Sequence, residues 1–240
     1  MNKNIGIIIL VITAALLLLA AGSAGFNLYI DWLFFQEVDH AGVFRTMLSA
    51  KITSALAFSA AFLAFYLPNL YFSNRINFPL RNLHLFGDTV YPVQTLTMDR
   101  PVKTLTMAGG FLIALLMALF GASKWEELVL FLNGLDVGMK DPVFGRDIGF
   151  YLFTLPLVST VKSFAVLTVI ITAAATLLSC FLRGGISWSE RNISIHPAVK
   201  KHAGIFGLFI FSVLALHFYI EAYRLQYTYR GFIYGAGYTD

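Results

Sequence analysis

Charged residues are scarce in this chain. Asp, Glu, Lys and Arg make up 12% of its 240 residues, and hydrophobic residues make up 58%. A soluble domain normally contains about 25% charged residues. The mean hydropathy of +0.74 is equally unusual for a soluble protein. This composition leaves too little polar surface to cover a water-soluble core, so we exclude an ordinary soluble globular domain.

The residues that usually mark metal, cofactor and catalytic sites are also missing. Cys180 is the single cysteine, so an internal disulfide and a cysteine-based zinc site are excluded. The glycines at 231, 235 and 237 lack the Lys-Ser/Thr pair of a phosphate-binding loop. No acid, base and nucleophile set converges in the sequence. We therefore expect no enzyme activity, no cofactor and no metal.

Long uncharged stretches dominate the chain instead. An α-helix rises about 1.5 Å per residue, so about 20 apolar residues cross a hydrocarbon layer of roughly 30 Å. Backbone polar groups in lipid must bond internally, which makes each stretch a helix. We predict an all-α, multi-pass transmembrane helix bundle that forms a single integral membrane domain over residues 1–240. Its five spans lie near residues 5–30, 52–72, 104–123, 163–182 and 203–220.

The first span has an alternative interpretation. Lys3, an apolar run and the small residues 21–24 are typical of a cleavable signal peptide. Apolar residues resume at Phe26, however, which makes the uncharged run longer than a usual signal peptide core. We favour a retained helix.

The distribution of basic residues predicts the orientation. Loops 75–103 and 183–201 each contain four Lys or Arg residues and few acids, whereas loops 31–51 and 124–147 contain more acids than bases. Cytoplasmic loops are enriched in Lys and Arg. We therefore place the N-terminus in the cytoplasm and the C-terminal tail outside the cell membrane. The same bias explains the net charge of +4 without nucleic-acid binding.

The third loop is the most structured of the predicted loops. Ser123 and Glu126 fit a capping box, and the apolar spacing that follows predicts an interfacial helix near residues 124–133. Asp141 and Asp147 then flank Arg146, which suggests a local ion-pair cluster. Paired carboxylates also serve acid–base chemistry, but no nucleophile accompanies them here.

Three ionisable residues lie near the last two spans. A charge at the centre of a membrane helix costs roughly 2.5–3.5 kcal/mol, so Lys162 is a functional candidate. Alternatively, Lys162 precedes its span and extends to the headgroups. His217 and Glu221 lie four residues apart, on one helix face, where they could hold a proton or a cation. The simpler alternative is local hydrogen bonding at a helix end.

Small residues on the third span predict close helix packing. Gly110, Ala114 and Ala118 recur at intervals of four residues. Small side chains let helix backbones approach each other in lipid, where no hydrophobic force drives association.

Several segments resemble the uncharacterised protein family 0182. They are Asp31-Trp32-Leu33-Phe34-Phe35, the stretch from Asp141-Pro142-Val143-Phe144-Gly145-Arg146-Asp147 to Phe150-Tyr151-Leu152-Phe153-Thr154-Leu155-Pro156, Arg183-Gly184-Gly185, and the tail from Tyr229-Arg230-Gly231 to Asp240. The resemblance implies a large prokaryotic membrane protein with several N-terminal spans and a sizeable extracytoplasmic portion. This chain then corresponds to the N-terminal part. No activity comes with the resemblance.

We therefore expect a membrane-anchoring or assembly domain for an extracytoplasmic portion or a partner. The expected partners are the lipid bilayer and a membrane or extracytoplasmic protein. The alternative is a transporter or channel subunit with an ionisable site at Lys162 or at His217 and Glu221.

Overall fold

The computed structural model describes residues 22–23, 25–76, 82–83, 91–92, 99–189, 192–227, 229–230 and 233–235. The helices are α1 (residues 25–37), α2 (Ala41–Arg75), α3 (Asp99–Ser123), α4 (Trp125–Leu132), α5 (Leu155–Leu182) and α6 (Pro197–Arg224). A π-helical turn (Phe150–Thr154) leads into α5, and a 3-10 turn (Leu225–Tyr227) follows α6. The chain forms two compact units, residues 1–52 and 53–240.

The described residues include three short antiparallel hairpins. Strands β1 (Asn82–Leu83) and β2 (Tyr91–Pro92) pair between α2 and α3. Between α5 and α6, β3 (Ile186–Ser189) pairs with β4 (Asn192–Ile195) in a register that places Ile186 opposite Ile195. Strands β5 (Tyr229–Arg230) and β6 (Ile233–Tyr234) pair after α6. The described part of the chain is all-α apart from these hairpins, as predicted.

Four helical segments in the described residues are long and apolar enough to cross a membrane, and this indicates membrane insertion. They are Ala41–Arg75, Arg100–Ser123, Phe150–Leu182 and Pro197–Tyr227. The predicted first span, residues 5–30, lies mostly outside the described residues, as does the alternative signal peptide. The helix of the fourth span begins at Phe150, well before the predicted start at residue 163, and its residues Thr160 and Lys162 bond to neighbouring helices.

The unit of residues 1–52 contains α1 and the first part of α2. A turn at Asp39, whose φ is +58°, joins the two helices. Aspartate tolerates this left-handed conformation better than most residues. The rings of Phe35 and Phe44 then lie 6.1 Å apart across the turn.

Helices α2 and α3 approach each other closely at glycine positions, as the small-residue spacing predicts. A Cβ atom on Gly110 would overlap Cε1 of Tyr66, so this ring packs directly on the α3 backbone. The Tyr66 hydroxyl donates to the carbonyl of Thr106 at 2.7 Å. Further along, the Ser54 hydroxyl donates to the carbonyl of Gly121 at 2.7 Å. The absence of a side chain at Gly110 thus determines how close the two helices lie.

Helix α5 packs at the centre of the larger unit. Its Phe164 joins apolar residues of α2 and α3 in one buried cluster. The other members are Phe58, Phe62, Tyr66, Leu70, Ala114 and Met117. On another face of α5, Val169 and Ala173 pack against Phe206 of α6.

The end of α5 also fixes the end of α2. Gly184 has a φ of +87°, and the amides of Gly185 and Gly184 donate to the carbonyls of Cys180 and Phe181, which forms a Schellman motif. This turn directs Arg183 back toward α2. Its guanidinium donates to the carbonyls of Ser73, Asn74 and Ile76 at 2.8–3.3 Å. Carbonyls at a helix C-terminus lack hydrogen-bond donors within the helix. Arg183 supplies donors to these carbonyls at the end of α2.

The predicted capping box at Ser123 does not form. Ser123 is the last residue of α3, and its hydroxyl donates to the carbonyl of Phe120. The residue before α4 is Lys124, which makes no side-chain cap and instead pairs with Glu127 at 2.8 Å. A capping residue must leave the helical conformation. Ser123 cannot do so because a single residue separates α3 from α4. The short helix itself lies where it was predicted.

Replacement of Gly110 by alanine tests the close approach of α2 and α3. We expect Gly110→Ala to lower the free energy of unfolding by about 1–3 kcal/mol, because the new methyl group displaces Tyr66. Gly109→Ala is the matched control, since a Cβ atom at that position would meet no neighbouring atom within 4 Å. This control should be neutral or stabilising by up to about 1 kcal/mol. Denaturant titration in mixed micelles measures both, and equal effects would contradict the packing.

Candidate functional site

Lys162 lies in a polar cluster between α5 and α6. Its side chain is 8% exposed, and its Nζ lies 3.1 Å from Oε1 of Glu221 and 3.2 Å from Nδ1 of His217. The same Oε1 accepts a hydrogen bond from Arg224 at 3.0 Å. We call these four residues the Lys162 cluster. The sequence presented Lys162 and the His217–Glu221 pair as separate candidates, and the structure places them in one network.

The cluster forms because α5 and α6 run antiparallel. The N-terminal part of α5 therefore lies beside the C-terminal part of α6. His217 and Glu221 share a face of α6 through their spacing of four residues, as predicted. The predicted alternative for Lys162, extension to the headgroups, stays a prediction. Its ammonium turns into the helix seam, where a carboxylate and an imidazole accept its hydrogen bonds.

The contact with Lys162 also defines the hydrogen-bonding state of His217. An ammonium group has only donors, so Nδ1 of His217 must accept this hydrogen bond. The neutral imidazole then carries its proton on Nε2. The side chain is 41% exposed, which leaves this N–H donor accessible at the edge of the cluster.

An apolar groove continues from the cluster along the seam of α5 and α6. Its volume is about 260 Å³, and its walls are aliphatic except at the His217 end. The lining residues are Val166, Val169, Ile170, Ile210, Val213, Leu214 and His217. The groove thus combines an apolar channel with one polar end.

Helix α4 is joined to the same end of α5 by a polar contact. Thr160 donates a hydrogen bond to Oε2 of Glu127, and Lys124 pairs with the other oxygen of this carboxylate. Glu127 therefore links the surface helix to the bundle. The sequence analysis did not single out Glu127 or Thr160, since their contact spans 33 residues.

The two aspartates of the 137–149 loop organise its backbone. The Asp147 carboxylate accepts hydrogen bonds from the amides of Val137, Gly138 and Gly149 at 2.6–3.0 Å. The Asp141 carboxylate accepts from the amides of Val143 and Phe144 and from the Tyr151 hydroxyl at 2.7–3.1 Å. Gly145 has a φ of +65°, which closes the turn between them.

These contacts keep both carboxylates ionised. Hydrogen bonds from the Val137 and Gly149 amides lower the pKa of Asp147 below its ordinary value. Partial desolvation acts to raise the pKa of Asp141, but the Val143 and Phe144 amides together with Tyr151 outweigh it and lower the pKa. A carboxylate held in this state accepts hydrogen bonds and is a poor general acid. Asp141 and Asp147 therefore have a structural role in the loop.

The predicted ion-pair cluster around Arg146 does not form. Within the described residues, Arg146 makes no ion pair with Asp141 or Asp147, because backbone amides occupy both carboxylates. The hydroxyls of Tyr223 and Tyr219 lie near the guanidinium instead, and they raise the pKa of Arg146 above its ordinary value. It also lies 5.5 Å from the centre of the Phe150 ring.

Aromatic rings attach this loop to the end of α6. The ring of Tyr223 lies 4.7 Å from that of Phe144 and 5.3 Å from that of Phe150. The Tyr219 and Tyr223 hydroxyls are 2.9 Å apart. The loop therefore docks on the bundle beside the Lys162 cluster. The repeated tyrosines of α6 were the signal in the sequence that could have indicated this docking. The sequence alone did not connect these tyrosines with Arg146.

The arrangement offers no metal centre in the part of the chain that the structure describes. No group of three or more His, Cys, Asp or Glu side chains there is placed to hold an ion. Cys180 is buried, 3.2 Å from the Ser73 hydroxyl. The cationic groups of the Lys162 cluster can attract an anion.

Comparison with known proteins identifies one family. The model of the uncharacterised protein family UPF0182 matches residues 7–240. A UPF0182 protein of Geobacter sulfurreducens is 40% identical over 97% of this chain and 26% of the relative. A UPF0182 protein of Mycobacterium tuberculosis is 29% identical over the whole chain and 24% of the relative. The chain thus spans about a quarter of the length of these relatives. No solved structure matches it.

A double-mutant cycle tests the pairing of Lys162 with Glu221. Lys162→Met and Glu221→Gln each leave a partner unpaired, so we expect the double variant to be about 0.5–3 kcal/mol more stable than the sum of the single changes predicts. The free energy of unfolding in mixed micelles is the measurement. Glu126, which is exposed on α4, gives the control. Lys162→Met and Glu126→Gln should be additive, and additivity at Glu221 as well would contradict the ion pair.

Proposed function

Since this chain belongs to UPF0182, an uncharacterised protein family, we propose that it is a membrane-anchoring and assembly domain. In this role the helices hold an extracytoplasmic portion, or a separate protein partner, at the cell membrane. The chain is not an enzyme in this proposal. Its partners are the lipid bilayer and a membrane or extracytoplasmic protein.

The observation that carries this proposal is the docked loop at residues 137–149. Two carboxylates organise its backbone, and an aromatic cluster attaches it to α6. Apolar side chains nevertheless remain on its outer surface, where Met139 is 62% exposed and Val143 is 72% exposed. An ordered apolar surface outside the helices is typical of a protein interaction site.

The orientation belongs to the same proposal. The contact of Phe144 with Tyr223 attaches the loop to the C-terminal end of α6. The excess of Lys and Arg in loops 75–103 and 183–201 favours a cytoplasmic N-terminus, so the docked loop faces outward. A partner outside the cell would then meet this surface.

A transporter or channel subunit is the second candidate, because the Lys162 cluster brings three titratable groups together within the bundle. A buried ionisable residue in a membrane helix is a functional candidate by default. The adjoining groove is apolar, however, and offers no polar path for an ion. The anchor therefore has the better support.

Cysteine labelling tests the orientation. Asp136 and Lys200 are exposed, whereas the native Cys180 is 1% exposed and should not react. In intact cells we expect Asp136→Cys to react with a membrane-impermeant maleimide, and Lys200→Cys to react only after permeabilisation. The unmodified chain is the control. The reverse pattern would overturn the orientation.

Co-purification tests the anchoring role. We would co-express the tagged chain with the part of the Geobacter sulfurreducens relative that lies outside the aligned region, and measure its retention in mild detergent. We expect retention, with a loss of roughly tenfold for Val143→Asp, because a charge at a docking surface costs binding energy. Asp136→Asn, just before the same loop, should have no effect.

The same purified chain distinguishes a transporter or channel subunit from an anchoring domain. If the partner portion is never retained, and if the reconstituted chain carries a proton flux that Lys162→Met abolishes, then the anchor proposal is wrong and the transporter is favoured. A pH-sensitive dye inside the vesicles reports this flux.

A further inference from the structure

The Lys162 cluster lies one membrane thickness from the opposite end of the bundle. Residues 163–182 of α5 and the segment from Pro197 to His217 on α6 each contain about 20 residues, which correspond to roughly 30 Å of helix. This length equals the hydrocarbon thickness of a typical bilayer. With Leu182 and Pro197 placed at one surface of the bilayer, the cluster lies at the level where acyl chains meet headgroups on the other side, on both helices at once.

The groove extends from this level toward the membrane centre. Its lining residues Val166 and Ile170 follow Lys162 by one and two helical turns, and Val213 and Ile210 precede His217 by similar distances. The groove thus covers roughly the first 6–12 Å of the hydrocarbon layer. Its volume of about 260 Å³ is below the 300–1,000 Å³ of typical small-molecule pockets, so it suits a narrow chain.

The headgroup end of the groove carries a positive charge. Lys162 and Arg224 contribute two cations against the single carboxylate of Glu221, with which both pair. Arg146 adds a third cation near Tyr219 and Tyr223 of α6, and backbone amides hold the ionised Asp141 and Asp147 carboxylates of its loop. The Nε2–H group of His217 supplies a neutral donor at the groove itself. Basic sites between membrane helices attract anionic headgroups.

We propose that the seam of α5 and α6 is a binding site for one anionic phospholipid. One acyl chain occupies the apolar groove, and His217 donates to an ester or phosphate oxygen at its upper end. The cations of the Lys162 cluster and Arg146 attract the phosphate. This site is independent of the anchoring role, because it uses the seam of α5 and α6 rather than the outer surface of the docked loop.

Native mass spectrometry of the full chain in detergent tests this proposal, with phosphatidylglycerol and phosphatidylcholine as probes. We expect one phosphatidylglycerol to remain bound, with roughly tenfold preference over phosphatidylcholine, because the zwitterionic headgroup gains little from the cations. Equal retention of the two lipids would overturn the proposed headgroup recognition.

Two substitutions locate the bound lipid. Ile170→Trp fills the groove and should abolish retention of phosphatidylglycerol, whereas Leu178→Trp, on an exposed position of the same helix, should leave it unchanged. His217→Phe should weaken retention several-fold while the chain stays folded by circular dichroism. Retention that Ile170→Trp does not reduce would overturn the site, and so would a dimer in which a second copy covers the seam.

Discussion

The buried ammonium group of Lys162 sets the strongest constraint on this structure. Among the described residues, it is the one charged group in the buried set. Burial of a charge costs several kcal/mol unless acceptors surround it. Glu221 and His217 provide those acceptors only when α5 and α6 lie in one register. The ion pair therefore determines which residues meet along the seam, including the two walls of the apolar groove.

Several residues in the segments that resemble the family stabilise particular backbone conformations. Asp141 and Asp147 accept amide hydrogen bonds, and Gly145 adopts a positive φ that closes their turn. At the other end of the bundle, Arg183 and Gly184 connect the ends of α5 and α2. These residues hold loops and helix ends in place, where lipid-facing helices alone would leave carbonyls and amides without partners.

Most polar side-chain contacts between the described helices and loops lie at one end of the bundle. The Lys162 cluster, the contact of Thr160 with Glu127 and the docked loop all lie there. An anchoring role and a lipid site are compatible at this end, because they use the loop surface and the helix seam respectively. A bound anionic lipid would interact with the cations of the Lys162 cluster beneath the loop. The position of Arg146 links the two features through Tyr219 and Tyr223.

Hydropathy and charge spacing were sufficient to predict the class of the protein. The apolar runs predict membrane helices because lipid leaves the backbone no other partners, and four of the runs correspond to long helices in the described residues. The spacing of Gly110 and Ala114 predicted a packed face, and the four-residue spacing of His217 and Glu221 predicted a shared one. Local patterns determine such features because each depends on the periodicity of one helix.

The tertiary structure alone decided which groups meet. Local sequence suggested a capping box at Ser123 and ion pairs for Arg146, and both interpretations were wrong. Ser123 remains in the last turn of α3, and backbone amides occupy the two carboxylates that flank Arg146. Lys162 meets Glu221 across 59 residues, and Arg146 meets Tyr223 across the docked loop. The apolar composition alone indicated that the helices lie in lipid. Which of the few charged residues pair with each other, however, depended on the packing of α5 against α6. Contacts between distant segments leave no periodic signal in a single sequence.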